Sequence, residues 1–473
     1  MKEMTGRGQV LSIVLVFILS RLIALFMGLH LNMQALVSYW QYLDIDTLRN
    51  HLLAGVWYDH AQPPVFNLLL GCVLKIGGIH YPVIFSFIFK LISLANALVL
   101  FAIIKKISTV RFLPIVVALA YILSPATLVF ECELFYTTFI SFLLLIAVFS
   151  LIGLTENDCW RNVLGFFCPL TLICLTRSVY HLVWLSAAII LILFYFRKKE
   201  VFHKLVVVSL AATIITGSWY LKNKIIFGKL TASTWIGMNI ARNVFHDNEV
   251  RDSNRIEAYP PFSRVGVYRK FLDPDFEKPF VGLNDRDLLQ EMKNDSFINE
   301  TEVSYIPVSD MYERASMLYI RSHPAAYMKN VFQSSVLYFT PATLYSLAVE
   351  QADKIKYYDI LYSFNLTHFA DGKQERRILL TISAIPKMML YFFVIFVVIR
   401  YSYRSRSFTP WNLFILLTIV WVFGISSLLE HYENMRFRFE TEPLFLILAA
   451  QVFSTIYSRF QIRFRPPLKR LIA

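Results

Sequence analysis

Apolar residues run along this chain in long blocks separated by short polar or basic interruptions. The blocks lie near 9–29, 82–104, 112–130, 134–154, 162–178, 179–196, 202–221, 378–400, 410–429 and 442–458. A run of about 17–25 apolar residues is what a helix needs to cross hydrocarbon. The pattern therefore predicts an all-α polytopic membrane protein with about 10–12 transmembrane helices, ten of them in these blocks. The first block is long enough to remain as an anchor, which predicts no cleavable signal peptide. The stretch 327–349 is apolar but carries Pro341 and polar residues, and predicts a helix lying along the membrane surface or re-entering it.

Composition agrees, with 56% hydrophobic and 17% charged residues among 473; a water-soluble core does not need that much apolar surface. The net charge of +13 is distributed as a topology signal rather than a nucleic-acid patch. Lys105, Lys106 and Arg111, then Arg197–Lys199, then Arg400, Arg404 and Arg406, and finally Arg459, Arg463, Arg465, Lys469 and Arg470 fall in alternate short loops and the tail. Short basic loops stay cytoplasmic, which predicts that both termini are inside. The chain then divides into an N-terminal transmembrane module, 1–221, with a first outer loop at 30–80; an outer segment, 222–377, with membrane-surface helices and a small subdomain; and a C-terminal transmembrane module, 378–473, with a basic cytoplasmic tail. The five cysteines show no CxxC spacing, and there is no internal repeat and no nucleotide-binding, HExxH or GxSxG motif.

The polar residues that remain gather on the predicted outer side. In the first outer loop, Asp44 and Asp46 precede a short helical pattern, and Asp59, His60 and Gln62 precede the stop Pro63-Pro64. The pair Asp44/Asp46 suits either a general base or oxygen ligands to a divalent cation, and equally a solvated loop. Glu131 and Glu133 sit in the next outer turn, where an acidic pocket or simple exposure would serve. Arg177 interrupts an apolar run, and its planar fork suits a phosphate; His181 follows four residues on, sharing its face if the turn is helical. Lys222, Lys224, Lys229 and Arg242 surround Asn239 beyond the seventh block, as a rim for an anionic lipid headgroup or as a basic collar. Near the end, Glu433, Arg436, Arg438, Glu440 and Glu442 cluster, and the alternation Arg436-Phe437-Arg438-Phe439 predicts one extended or tightly turned face carrying both cations.

HAQPPVFNLLLG, SPATLVFECELFYT, LTRSVYHLVW, WYLKNKIIFGKLTASTWIGMN and ENMRFRFETEP occur in an order that resembles the GT-C glycosyltransferases. The similarity is to the protein mannosyltransferase-like branch, which includes bacterial aminoarabinose and rhizobial lipopolysaccharide sugar transferases. It implies a GT-C-like fold, a polyprenyl-phosphate-linked sugar donor, inversion at the anomeric carbon and an active site on the outer face of a bacterial inner membrane. The acceptor it implies is a glycan, lipid or protein. By this resemblance Asp44 matches the first-loop acid and Glu131 the second-loop acid, while Arg177, Arg436 and Arg438 fall where the lipid phosphate is handled. His181 and Lys222 join that phosphate set, and His60, Gln62, Glu133, Asn239 and Glu433 are candidate substrate contacts. Gln62 stands where some relatives have lysine, and the Asp-Ile-Asp spacing leaves open whether Asp44 or Asp46 is the base and whether the two hold a metal. A phosphate leaving group needs cations more than a general acid. Two other classes share parts of the pattern: a polymerase or ligase using diphosphate-linked glycans, and a lipid or solute transporter.

Overall fold

The computed structural model describes residues 6–245, 292–294, 297–299, 301–303 and 305–464. Most of them are helical; among the described residues, extended pairing is limited to the antiparallel pair Met292–Asn294 and Phe297–Ile298 and an isolated bridge between Asn32 and Glu133. Among the described residues seven helical runs are long and apolar enough to cross a membrane: Gly6–Phe26, Pro64–Ile107, Thr137–Glu156, Phe202–Phe227, Lys373–Arg404, Pro410–Leu429 and the last helix from Asn434. The other three expected crossings are helices too short for that length, Leu113–Leu123, Trp160–Cys174 and Leu182–Phe196. The first of these stops at Ser124 because the residue before a proline leaves the helical region, and the chain resumes as Pro125–Phe130.

Thr137–Glu156 is the centre of the bundle, packed by Trp160–Cys174, Tyr81–Ile107 and the last helix, and 78% of its apolar window is buried. Gly6–Phe26 is peripheral, with 22% buried and Leu11, Leu15, Leu19, Leu22 and Phe26 pointing outward. A surface so apolar on several long helices is stable against lipid and not against water; the chain is an integral membrane protein.

The first outer loop folds into short helices, Gln34–Ser38, Ile45–Asn50 and Leu52–Tyr58, before Pro63. Pro64 then opens the helix Pro64–Gly77, its missing N–H falling where a helix has no use for it. The chain turns at Gly78, whose φ of +51° suits glycine, and continues as Tyr81–Ile107. The stretch expected at the membrane surface becomes Pro324–Tyr338, 15 residues ending before Pro341, and packs against Pro410–Leu429 and the last helix. In the outer segment Ile236–Phe245 lies on Tyr305–Ser322 so closely that a Cβ on Gly237 would sit 1.8 Å from the Ser309 carbonyl oxygen. Residues 246–291, 295, 296, 300 and 304 of the expected outer segment, and the basic residues Arg465, Lys469 and Arg470, lie outside the described residues.

Candidate active site

At one end of the bundle the loops converge. Tyr42 donates to the Leu134 carbonyl at 2.6 Å, Tyr136 donates to the Gln41 side chain at 3.1 Å, and the Val65 amide donates to Leu175 at 2.9 Å. Tyr39 and Tyr345 bring their hydroxyls to 3.4 Å across 306 residues of sequence. This aromatic floor carries a network of buried arginines and glutamates. Arg177 pairs with Glu440, Arg436 with Glu433, and Arg242 with Glu430 at 3.2 Å and Glu433 at 3.5 Å. The Arg436 guanidinium lies 4.4 Å from the ring centre of Phe135 and 5.1 Å from that of Tyr345.

Arg436 is 2% exposed, and its Nε and Nη1 have no hydrogen-bond acceptor among the described residues. Buried guanidinium N–H groups are normally satisfied, and leaving them without a partner is costly. Their planar fork is the geometry that takes a phosphate oxygen.

Arg438 does something else. It pairs with Glu442 and donates to the carbonyls of Tyr338 at 2.8 Å and Thr340 at 3.3 Å. The expectation of one face carrying both cations is corrected here: the segment is helical from Asn434, so residues two apart point about 200° around the axis from one another. Arg436 enters the aromatic floor, and Arg438 ties the last helix to the end of Pro324–Tyr338.

A second polar corner lies beside the floor. Asp59, 1% exposed, accepts from the amides of Ala61 at 2.8 Å and Gln62 at 3.2 Å and from the Asn67 side chain at 3.1 Å. Burial pushes its carboxyl above the usual range, against the pull of Lys222 and these donors. Lys222 Nζ donates to the Asp59 carbonyl at 2.7 Å and lies 3.6 Å from the Trp219 ring centre. His60 is held by Thr234 Oγ1 at 2.7 Å and by the Glu302 carbonyl at 3.3 Å. Burial, with Lys222 nearby, holds its ring down to about 3, so it is neutral at physiological pH. Gln62 lines a cavity of about 10 Å³ with Gln41, Asn67, Tyr136 and Thr176, roughly the room of one water.

Among the described residues none of the acids expected to act is ion-paired with Arg177 or Arg436. Asp44 caps Ile45–Asn50 by accepting from the Asp46 amide at 2.8 Å, and exposed Asp46 accepts from Asn50 at 2.6 Å; capping is what this residue type does well at that position. Among the described residues no group of three or more His, Cys, Asp or Glu could hold a metal ion. Glu131 pairs with Arg21 of the first helix, Nε to Oε2 at 2.9 Å, and Arg21 also donates to the Ile122 carbonyl at 2.7 Å. Glu133 is fully buried with no partner for either carboxyl oxygen among the described residues. Burial, with Glu350 nearby, pushes it up to about 9 against Lys354. His181 caps Leu182–Phe196 by accepting from the Val183 amide at 3.2 Å, with its ring edge-on to Tyr220. Asn239 is half-buried on Ile236–Phe245.

Arg21, Glu430 and Tyr136 are thus structural neighbours or parts of the site that sequence pattern does not mark out as site residues, while Asp59, visible in the first outer loop, has no role assigned to it there. Arg21 carries a visible signal, a lone arginine within an apolar block.

No protein-family model and no curated protein matches the chain. Among solved structures it is similar to ArnT from Cupriavidus metallidurans bound to undecaprenyl phosphate, with 12% identity over 98% of this chain and 82% of that one and a TM-score of 0.37. It is also similar to the apo state of ArnT from the same organism, with 10% identity over 94% and 77% of the two chains and a TM-score of 0.35.

Proposed function

We propose that this protein is an integral-membrane inverting glycosyltransferase of the GT-C type, moving a sugar from a polyprenyl-phosphate donor to a glycan, lipid or protein acceptor on the outer face of the membrane. The observation that carries this reading is Arg436, buried on an aromatic floor with two N–H groups that lack acceptors among the described residues, and with Arg177 beside it. A lipid-linked phosphate supplies the missing acceptor oxygens, and the apolar bundle around the site supplies the solvent for its prenyl chain.

The chemistry follows from charge. As the bond from the anomeric carbon to the phosphate oxygen breaks, negative charge builds on the phosphate, and Arg436 and Arg177 stabilise it without reorganising. The acceptor hydroxyl attacks from the opposite face and loses its proton to a carboxylate. We assign that role to Asp44 of the first loop. It is partly exposed and lies three residues from Gln41, which already bonds Tyr136 of the floor. Glu131 is less suited because Arg21 occupies both its oxygens.

The test uses the full chain in lipid nanodiscs with an undecaprenyl-phosphate-linked sugar. Wild type releases undecaprenyl phosphate in the presence of acceptor glycolipid, and Arg436→Gln does not. Solute counterflow without release of the lipid phosphate would sink the proposal in favour of a transporter.

A further inference from the structure

A second cavity, of about 390 Å³, opens between the short helix Val349–Asp353, the turn Leu366–Phe369 and the first turn of Lys373–Arg404. Its polar walls are Thr343, Asp353, Lys356, Thr367, His368 and Arg376, and none of these belongs to the arginine–glutamate network. The volume lies within the usual range for small-molecule sites.

The cavity rests on a buried polar frame. Asp359 is fully buried, and its Oδ2 accepts from Thr343 Oγ1 at 2.7 Å, Asn365 Nδ2 at 2.7 Å and His368 Nε2 at 3.2 Å. Thr367 donates to Asn365 Oδ1 at 2.6 Å, which locks the turn carrying His368. With Nε2 committed to Asp359, Nδ1 of His368 faces Asp353 at 3.7 Å across the cavity wall. The second oxygen of Asp359 has no partner among the described residues. A buried carboxylate held by three donors is a costly arrangement unless it fixes something, and what it fixes here is an imidazole at a cavity edge. At the mouth, Lys356 and Arg376 are both exposed.

We propose that this cavity binds a phosphorylated saccharide unit. Lys356 and Arg376 take the phosphate at the mouth, where Arg offers its fork and Lys a point charge. Asp353, Thr343, Thr367 and the oriented His368 present acceptors and donors to the ring hydroxyls inside. The cavity adjoins the candidate active site, since Thr343 lies two residues before Tyr345, whose ring sits under the Arg436 guanidinium. Its use as the acceptor subsite rests on the transferase reading, whereas binding does not.

The experiment titrates the full chain in nanodiscs with glucose 6-phosphate, glucose and inorganic phosphate as probes. Wild type is expected to bind glucose 6-phosphate more tightly than either fragment. Lys356→Gln/Arg376→Gln, both surface changes, is expected to weaken that binding roughly tenfold or more, and His368→Asn to weaken glucose 6-phosphate more than inorganic phosphate. Equal affinity for inorganic phosphate would overturn the saccharide assignment, and unchanged binding in the double variant would overturn the site. Undecaprenyl phosphate titrated into the same samples keeps the two readings apart. Its binding should survive the cavity substitutions and fall with Arg436→Gln; if it binds neither wild type nor variant, the transferase reading fails while the cavity result stands.

Discussion

Arg177 and Arg436 share the ring of Phe437: their guanidinium carbons lie 3.8 and 5.1 Å from its centre. Two like charges are held on one aromatic side chain, one from the loop at Arg177 and one from the last helix, more than 250 residues apart in sequence. Cation–π attraction and the carboxylates of Glu440 and Glu433 hold them in place. Such a pair is unfavourable alone and becomes favourable when an anion joins it.

Arg436→Gln is therefore expected to lower transfer by about 10²–10³-fold, the range for losing one preorganised donor to a developing anion. Arg438→Gln, which breaks contacts to Glu442, Tyr338 and Thr340, should instead lower the thermal midpoint and leave the turnover of folded protein near wild type. Turnover and thermal unfolding measured on both variants check this split.

Glu131 and Arg21 should behave as a structural couple. Removing one partner of a buried ion pair costs about 3–5 kcal/mol, whereas replacing both by apolar residues is often neutral. Arg21→Met and Glu131→Met should each destabilise strongly, and the double variant should recover much of the loss. A double-mutant cycle read by thermal unfolding tests it; failure of the double variant to recover would show that Glu131 serves something other than this pair.

Glu133 gives a pH signature. Its folded carboxyl titrates near 9 because of burial, against about 4.3 in an unfolded chain. Between these values the folded protein holds a proton that the unfolded chain has lost, so this group lowers stability as pH rises through that window. Glu133→Gln should raise the thermal midpoint relative to wild type at pH 8, with no such gain near pH 4. An equal gain at both pH values would contradict the assignment.

Asp44→Asn and Asp46→Asn separate the two acids of the first loop. Asn caps a helix about as well as Asp, so both variants should fold normally. Transfer should fall with Asp44→Asn and persist with Asp46→Asn, measured as release of undecaprenyl phosphate.

Much of the fold was legible because hydrocarbon dictates block length, and the ten expected crossings each correspond to a helix. The three that fall short do so for local reasons, as where Ser124-Pro125 cuts one block in two. The residues of the site were less legible. Arg177 and Arg436 announced themselves as charges beside apolar runs, but Arg438 has the same sequence appearance and a different job, which only the helical phase of its segment reveals. Asp44 and Asp59 are both first-loop acids; that one caps a short helix and the other is buried under Lys222 depends on which loops fold over them. Glu131 looked available because its partner, Arg21, lies 110 residues away.

Three arginines and three glutamates make the network around Arg436 formally neutral, so an arriving phosphate brings net negative charge into it. It meets the open Nε and Nη1 of Arg436 and adds negative charge beside the carboxylates that already balance the arginines. Glu430 is already held above the usual carboxylate range by burial, against the pull of Arg242, and becomes the natural acceptor of a compensating proton. Binding of the lipid phosphate should accordingly take up protons from the medium. The heat measured by calorimetry in buffers of different ionisation enthalpy should then vary with the buffer, at the same pH and with the same ligand.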